Sequence, residues 1–558
     1  MLPQYAAAAA SPSTTPSPIH KLPVEILTRC FMELAKDNPP HVTKNLLHPD
    51  GIRIEVHYGW LIATYVCHRW RSVALNAASL WATPTWVLGA RWSEEMLARS
   101  KTAPLTIRCD VSECPPAWKS RERLNLAVVD AIADHLHRLK AIDISGILPD
   151  GLSFPVMQSL TKPAPLLQEL DFEQYWSDEG LILPKDFLGN SSSCIQSLRL
   201  GDVASDWTSP LFRELTEVAI TARFDGRLNS CDGLYEMLER NARLESLTLG
   251  EYLPLSDNHD SSTRRLRPRI ALPCLKRLTV AEHAYGCAQI LNVIELFADA
   301  VINISLSLFE SHTHEEDIST MFSALSAHIH PSSHRTLFLE PTEDVLGGTM
   351  LTLERHTTEF SPTNLNHLAS NEARDWVSIH IHPGYDGIPD EDSDITDVPN
   401  ATRIMKAALD YMPIIDDVDI LVVAPFESEK VPDMWCGLQP LRNVKYLRTS
   451  SREIIRHLHL TFFLPMSDDN DTEDSMEPDR DPGYLYPGLK LLEFYKVDFT
   501  KDYPVVEESL IAMLRGRRML GSPLKWLLFT RCRMPDGMVG RLKAAEDGLE
   551  VLSPMSDN

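Results

Sequence analysis

The chain is 558 residues long, with 53 Lys and Arg against 78 Asp and Glu for a formal charge of −25, and 44% of its residues are hydrophobic. That acidity argues against any function resting on broad phosphate neutralisation, and no apolar run approaches the roughly 18 residues that a membrane-spanning helix needs. Ten cysteines, scattered without the regular spacing of a disulfide framework or a Cys-x-x-Cys zinc pair, suit a reducing compartment, the cytoplasm or the nucleus.

In chain order, Ala6 to Ala10 and the Ser/Thr/Pro run from Ser11 to Pro18 lack the charged start and apolar segment of a secretory signal, so residues 1–18 read as a disordered leader. A first helix is expected to open at Pro23, whose missing N–H would be unpaired in the first turn anyway, with Glu25 favourably placed against the helix dipole. Ile26, Leu27, Cys30, Phe31 and Leu34 then gather on one face. A second helix is predicted from about Trp60 to Leu75, with Val66, Trp70, Val73 and Ala74 as its stripe and His68, Arg69 and Arg71 elsewhere. Leu80 and Trp81 form an apolar anchor after the turn Asn76 to Ser79. Between Lys36 and Gly59 lies a polar, Pro-containing insertion, expected as a surface loop because closure entropy rises only slowly with length. On the residues alone, this is either the internal core of an ordinary helical hairpin or a shared surface.

The order Leu22-Pro23, then Val66-Cys67-His68-Arg69-Trp70, then Ser79-Leu80-Trp81 resembles an F-box. The helix-like run Arg91 to Ser100 with Pro104-Leu105-Thr106-Ile107 behind it is similar to the segment after the F-box in fungal members of that family. The resemblance implies that part of the front surface binds a Skp-type adaptor, and through it a cullin scaffold, with Leu22, Pro23, Ile26, Leu27, Val66, Trp70 and Trp81 as the contact positions.

Beyond this module the pattern apolar-x-x-apolar-x-apolar begins at Leu139, Leu167, Ile195, Leu215, Leu244 and Leu275, in steps of 28, 28, 20, 29 and 31 residues. These cluster near the period of leucine-rich repeats, in which each unit supplies a strand and a returning segment. Weaker copies are read at Val301 to Leu306, Thr336 to Leu339, Val377 to Ile381, Ile415 to Ile420, Leu441 to Tyr446, Leu489 to Phe494 and Leu524 to Phe529. Leu124 to Leu136, Gly233 to Leu238 and Ala288 to Phe297 have helical spacing and are the expected returns. If the apolar positions face the core, alternating residues line the opposite surface, which makes Asp171, Arg199, Thr248, Thr279, Ser305, His380 and Asp419 candidate target contacts.

Other groupings carry less chemistry. His380 and His382 share a face of an expected strand with Asp386 and Asp390 nearby, but no third firm ligand is evident and no metal is assigned. Asp469, Asp471 and Glu473 resemble a calcium loop, yet the sixth position is Asp474, where the turn requires Gly, and the twelfth is Arg480. Much of the acidity falls in residues 386–397 and 468–481, expected as solvated loops. No phosphate loop, nucleophile elbow or zinc helix is found, and no cofactor is expected.

The expected fold is α+β: residues 19–82 an F-box-like helical domain with an inserted loop, and residues 83–558 an irregular α/β leucine-rich-repeat solenoid, a horseshoe. The resemblance implies a non-catalytic substrate receptor of an SCF-type ubiquitin ligase. The alternative is a leucine-rich-repeat scaffold acting outside ubiquitin transfer.

Overall fold

A computed structural model describes residues 21–45, 53–110, 121–146, 157–158, 160–174, 181–190, 194–221, 231–250, 269–297, 300–308, 315–328, 334–341, 349–355, 376–383, 418–423, 438, 441–452, 454–458, 485–501 and 503–553. The acidic runs 386–397 and 468–481, the leader, and Asp386 and Asp390 lie outside the described residues. The chain divides into two compact units, Met1–Leu215 and Thr216–Asn558.

In the first unit, helix α1 (Val24–Asp37) begins directly after Pro23, with Glu25 in its first turn and Lys36 in its last, both favourable against the dipole. The insertion is a hairpin where a loop was expected: β1 (His41–Asn45) pairs antiparallel with β2 (Arg53–His57). Its base is closed where the Trp60 N–H donates to the Asn38 carbonyl at 2.8 Å. That closure needs Gly59, which has φ +53 and whose added Cβ would lie 2.4 Å from the Asn38 oxygen.

The single helix expected from Trp60 to Leu75 is two pieces, a 3-10 segment Gly59–Tyr65 and helix α2 (His68–Asn76). They are separated because Cys67 is extended and caps α2, its Sγ accepting the Trp70 N–H at 3.4 Å. Leu27, Phe31, Trp60, Leu61, Val73, Leu80, Trp81 and Met96 form one core. Trp60 meets Trp81 edge to face at 5.0 Å, and the Trp81 Nε1–H donates to the Ala74 carbonyl at 2.7 Å, so this bulky anchor is buried with its polar atom satisfied.

Helix α3 (Ala90–Ser100) contributes Met96 and leads to β3 (Leu105–Asp110), followed by α4 (Arg121–His135), β4 (Leu139–Gly146), β5 (Glu169–Gln174) and β6 (Ser197–Gly201). All four strands are parallel, and Ile107, Ile142, Leu170 and Leu198 stand in one row, with Cys109, Ile144, Phe172 and Leu200 in the next. Every residue of both rows is buried.

In the second unit, β7 (Glu217–Thr221), β8 (Ser246–Gly250), β9 (Arg277–Glu282) and β10 (Val301–Leu308) continue the same parallel pattern, with Val218, Leu247, Leu278 and Ile302 in register. Helices α5 (Cys231–Arg240) and α6 (Ala284–Val293) occupy two of the expected returns. Helix α6 runs short of the expected Phe297: it ends at Val293 because Ile294 is extended and pairs with Ile270.

A meander then interrupts the array. Strands β11 (His334–Pro341), β12 (Thr349–Arg355) and β13 (Trp376–Pro383) are joined antiparallel, with β13 parallel to β10 and β11 parallel to β14 (Ile420–Val423). Thr336 to Leu339 and Val377 to Ile381 are therefore not successive repeats; β12 stands between them. After helix α7 (Glu315–Ser326), which precedes the meander, the regular parallel order resumes in β14, β15 (Tyr446–Thr449), β16 (Leu491–Tyr495), β17 (Trp526–Thr530) and β18 (Glu550–Leu552). The described helices of this part are α8 (Ile454–Leu458), α9 (Val505–Met519) and α10 (Met538–Ala545).

One backbone device recurs through both units. The carbonyl of Gln168 accepts N–H bonds from Gln196 and Ser197 at 2.8 and 3.1 Å, and that of Glu245 accepts from Lys276 and Arg277 at the same two distances. The carbonyls of Thr216, Asp419, Lys445 and Lys490 each accept the corresponding two N–H groups, all between 2.7 and 3.1 Å. Each accepting residue directly follows the first apolar position of its repeat, so consecutive copies are locked in one frame. The result is a mixed α+β fold of leucine-rich-repeat-like parallel ladders with helical returns.

Leu247 is fully buried between Val218 and Leu278. Leu247→Ala is expected to cost about 3 kcal/mol through lost transfer energy and the cavity left behind, read as a lower denaturant midpoint. A change below about 0.5 kcal/mol, the scale of an ordinary surface substitution, would contradict the packing described.

Candidate functional site

The apolar residues of the front module fall into a buried set and an exposed set. Leu27 and Trp81 are each 1% exposed and belong to the module's own core, while Trp70 is half-buried edge to face with Phe31 at 5.2 Å. Leu22 is half-buried, and its carbonyl accepts a hydrogen bond from the Arg69 guanidinium, which ties the start of α1 to α2. Pro23, Ile26 and Val66 stand in solvent, the latter two 47% and 57% exposed.

The open apolar surface is wider than those three positions. On α1, Ile26, Cys30 and Leu34 stand at i, i+4 and i+8, one exposed stripe beside the buried pair Leu27 and Phe31. On the 3-10 segment and its end, Ile62, Tyr65 and Val66 are likewise exposed, and Arg71 lies over the Tyr65 ring at 5.8 Å. Isolated exposed hydrophobics are ordinary; their concentration on two adjacent elements of one small module is not. Ile62 and Tyr65 were not singled out in the sequence, although Ile62 stands four residues before Val66 and would share its face on a helix.

The candidate target contacts fall into separate groups. In the first unit Asp171 stands in register with Asp143 and Arg199, with Arg199 exposed and Asp171 half-buried. In the second unit Thr248 and Thr279 share a row with Asn303, whose Nδ2 donates to the Thr279 Oγ1 at 3.4 Å. Ser305 belongs to the next row, opposite Ala281 and His380. The expected frame at Val301 was two residues late, since Ile302 and Ile304 are the partners of Leu278 and Val280.

Asp419 is a correction of the same kind. Leu421, not Val418, aligns with Leu447, so Asp419 precedes the strand instead of alternating within it. It is buried to 9% exposure, with its Oδ2 3.7 Å from Lys445 Nζ. The unbroken apolar run from Ile420 to Val423 conceals the frame from sequence inspection.

In β14 to β17 the alternating face is itself packed: Ile420, Val422, Tyr446 and Leu491 form a second core cluster with Trp526 beside it. A polar knot adjoins it. Glu493, 4% exposed, accepts hydrogen bonds from the Tyr446 hydroxyl and, at 2.6 Å, from the Thr530 hydroxyl, with Arg448 3.8 Å away. Arg448 also lies 4.2 Å from the centre of the Tyr495 ring. Burial first, and then the Glu493 charge, hold the Tyr446 phenol well above its usual range; burial alone does the same for Tyr486.

A cleft of about 600 Å³ in the first unit is lined by Met32, Trp60, Leu80 and Trp86, with Lys36 and the pair Arg108 and Asp143, 3.8 Å apart, among its polar walls. Among the described residues, no group of three or more His, Cys, Asp or Glu is placed to hold a metal. Burial raises the Cys532 thiol to about 11 and Cys287 further still, which keeps both protonated at neutral pH and unsuited to nucleophilic attack. No described helix is long and apolar enough to cross a membrane.

No protein-family model matches this chain, and no curated protein does. Among solved structures it is similar to a leucine-rich-repeat protein of Leptospira interrogans, at 12% identity, covering 82% of this chain and 91% of that one, with a TM-score of 0.23.

The Tyr486 hydroxyl is buried and has no hydrogen-bond partner among the described residues. Because its folded pKa is raised, its contribution to stability is complete below the ordinary tyrosine value of 10.0 and declines as pH rises above it. Tyr486→Phe is expected to leave neutral-pH stability equal or higher and to flatten the alkaline decline. A loss of about 2 kcal/mol or more at neutral pH in denaturant titration would show that the hydroxyl is engaged.

Proposed function

We propose that this chain is a non-catalytic protein-interaction scaffold whose leucine-rich-repeat solenoid engages another protein. At a finer level, its front module seats a Skp-type adaptor, making the chain a substrate receptor of an SCF-type ubiquitin ligase. The observation that carries the finer reading is the division of apolar residues in that module. Leu27, Phe31, Trp60 and Trp81 complete an internal core, while Ile26, Leu34, Ile62, Tyr65 and Val66 remain in water.

An amphipathic helix with a second apolar edge is suited to packing against helices of a partner, where burying each large side chain returns about 1.5–3 kcal/mol. The hairpin of β1 and β2 is closed at its own base, so the insertion is accommodated without disrupting that core. In this reading the chain makes and breaks no bonds. It raises the effective concentration of a target near the ubiquitin carrier, and the cullin scaffold is reached through the adaptor. The cytoplasm or nucleus is the compartment in which it would act.

The second reading, a scaffold outside ubiquitin transfer, is favoured by the ladders themselves, which recur in both units and require no reference to ubiquitin. Cullin recovered together with the adaptor separates the two readings.

Co-purification of the full chain with a Skp-type adaptor tests the finer one. Ile26→Glu with Val66→Glu places charge on exposed positions that the fold does not need, and is expected to lower adaptor recovery by about tenfold or more, on the scale of hot-spot losses. Unchanged recovery with an unchanged denaturation midpoint would reject this surface.

A further inference from the structure

The lock between repeats places one residue of each repeat in a single row along the strand starts. In the first unit that row reads Lys140, Gln168 and Gln196, and in the early second unit Thr216, Glu245 and Lys276. The early row is internally neutralised: Lys276 Nζ lies 2.6 Å from Glu245 Oε2 across neighbouring strands. Past the meander the same row reads Asp419, Lys445, Lys490, Lys525 and Glu550, each after the first donating its N–H to the carbonyl of the one before at 2.8 or 2.9 Å.

Three lysines thus stand one residue before consecutive strands of a protein whose formal charge is −25. Adjacent strands lie about 4.8 Å apart, and like charges directly opposite one another are unfavourable. Asp419 reaches only the first of them, its Oδ2 being 3.7 Å from Lys445 Nζ. Among the described residues no carboxylate pairs with Lys490 or Lys525, and all three lysines are exposed. Lys525 Nζ lies 6.0 Å from the centre of the Trp526 ring, a contact that leaves its charge unneutralised, whereas other cations nearby are paired with carboxylates: Arg448 with Glu493, Arg518 with Glu546, and Arg541 with Glu507.

We propose that the row Lys445, Lys490 and Lys525 is a docking surface for an extended acidic segment of a partner polypeptide. This deepens the scaffold reading by naming the chemical class of its target, and it rests on that reading. The three lysines span just under 10 Å, and an extended chain rising about 3.3 Å per residue covers that distance in three residues. Carboxylates three apart along such a segment meet the two ends of the row, with flexible lysine stems taking up the remainder. A single Lys on a strand start is an ordinary solvated residue; three in register, with one carboxylate at either end of the row, leave a centre matched to negative charge.

The test is fluorescence anisotropy of a labelled oligo-glutamate dodecapeptide on the full chain at low ionic strength, repeated at higher salt. The row predicts salt-sensitive binding that Lys445→Gln/Lys490→Gln/Lys525→Gln weakens by about tenfold or more, while Lys276→Gln changes it by less than about twofold. Equal binding by the triple variant and the unaltered chain overturns the proposal, as does tighter binding of an oligodeoxynucleotide of equal charge. Binding that emerges only when Asp468, Asp469, Asp471, Glu473 and Asp474 are all changed to Asn assigns the row to this chain's own acidic run, and overturns the assignment to a partner. Adaptor recovery by the triple variant should stay at the level of the unaltered chain, so failure here is distinct from failure of the adaptor reading.

Discussion

A single main-chain carbonyl that accepts two N–H groups from the next repeat is the constraint on which this fold depends. It occurs at Gln168, Thr216, Glu245, Asp419, Lys445 and Lys490, always one residue after the apolar position that opens the repeat. Buried backbone polar groups must be paired, so this bond restricts each copy to one frame relative to its neighbour. A slip of one residue would turn Leu247, Leu278 and Ile302 out of the core together. Because the frame is held, side chains at equivalent positions become rows, and a row can present a chemistry that no single residue carries.

The front module follows a different economy. It is too small to bury all of its apolar residues, and two tryptophans, Trp60 and Trp81, take the centre by meeting edge to face. Around them Leu27 and Phe31 use one side of α1, which leaves Ile26, Cys30 and Leu34 along its flank. The break at Cys67 turns Tyr65 and Val66 outward as well. Core and exposed stripe therefore arise from the same pair of short helices, and the proposed adaptor surface needs no rearrangement of the core beneath it.

Much of this was legible in the amino-acid sequence. The opening of α1 after Pro23, the anchor at Leu80 and Trp81, and the six early repeats from Leu139 to Leu275 all derive from local chemistry and spacing. The later frames were legible only where the apolar positions are unambiguous, as at Leu489 and Leu524. Where apolar residues run together, as in Ile420 to Val423, or where Tyr446, buried on the alternating face, can be taken for the repeat's last apolar position, register is decided by pairing partners distant in sequence. That ambiguity hid the lysine row, since a frame beginning at Leu441 separates Lys445 from Lys490 and Lys525. Strand β12 and the hairpin of β1 and β2 were missed because single strands of five to seven residues are too short to stand out by periodicity alone.

Hydrogen exchange on the full chain measures the central claim most directly, because the repeat lock is made of amide N–H groups at named positions. The amides of Gln196, Glu245, Lys276, Lys445, Lys490 and Lys525 are expected to exchange about a thousandfold slower than free peptide, despite side chains that stand at the surface. Exchange of these amides at the rate of unstructured chain would contradict the lock, and with it the rows and the frame on which the proposed surface of the repeat region depends.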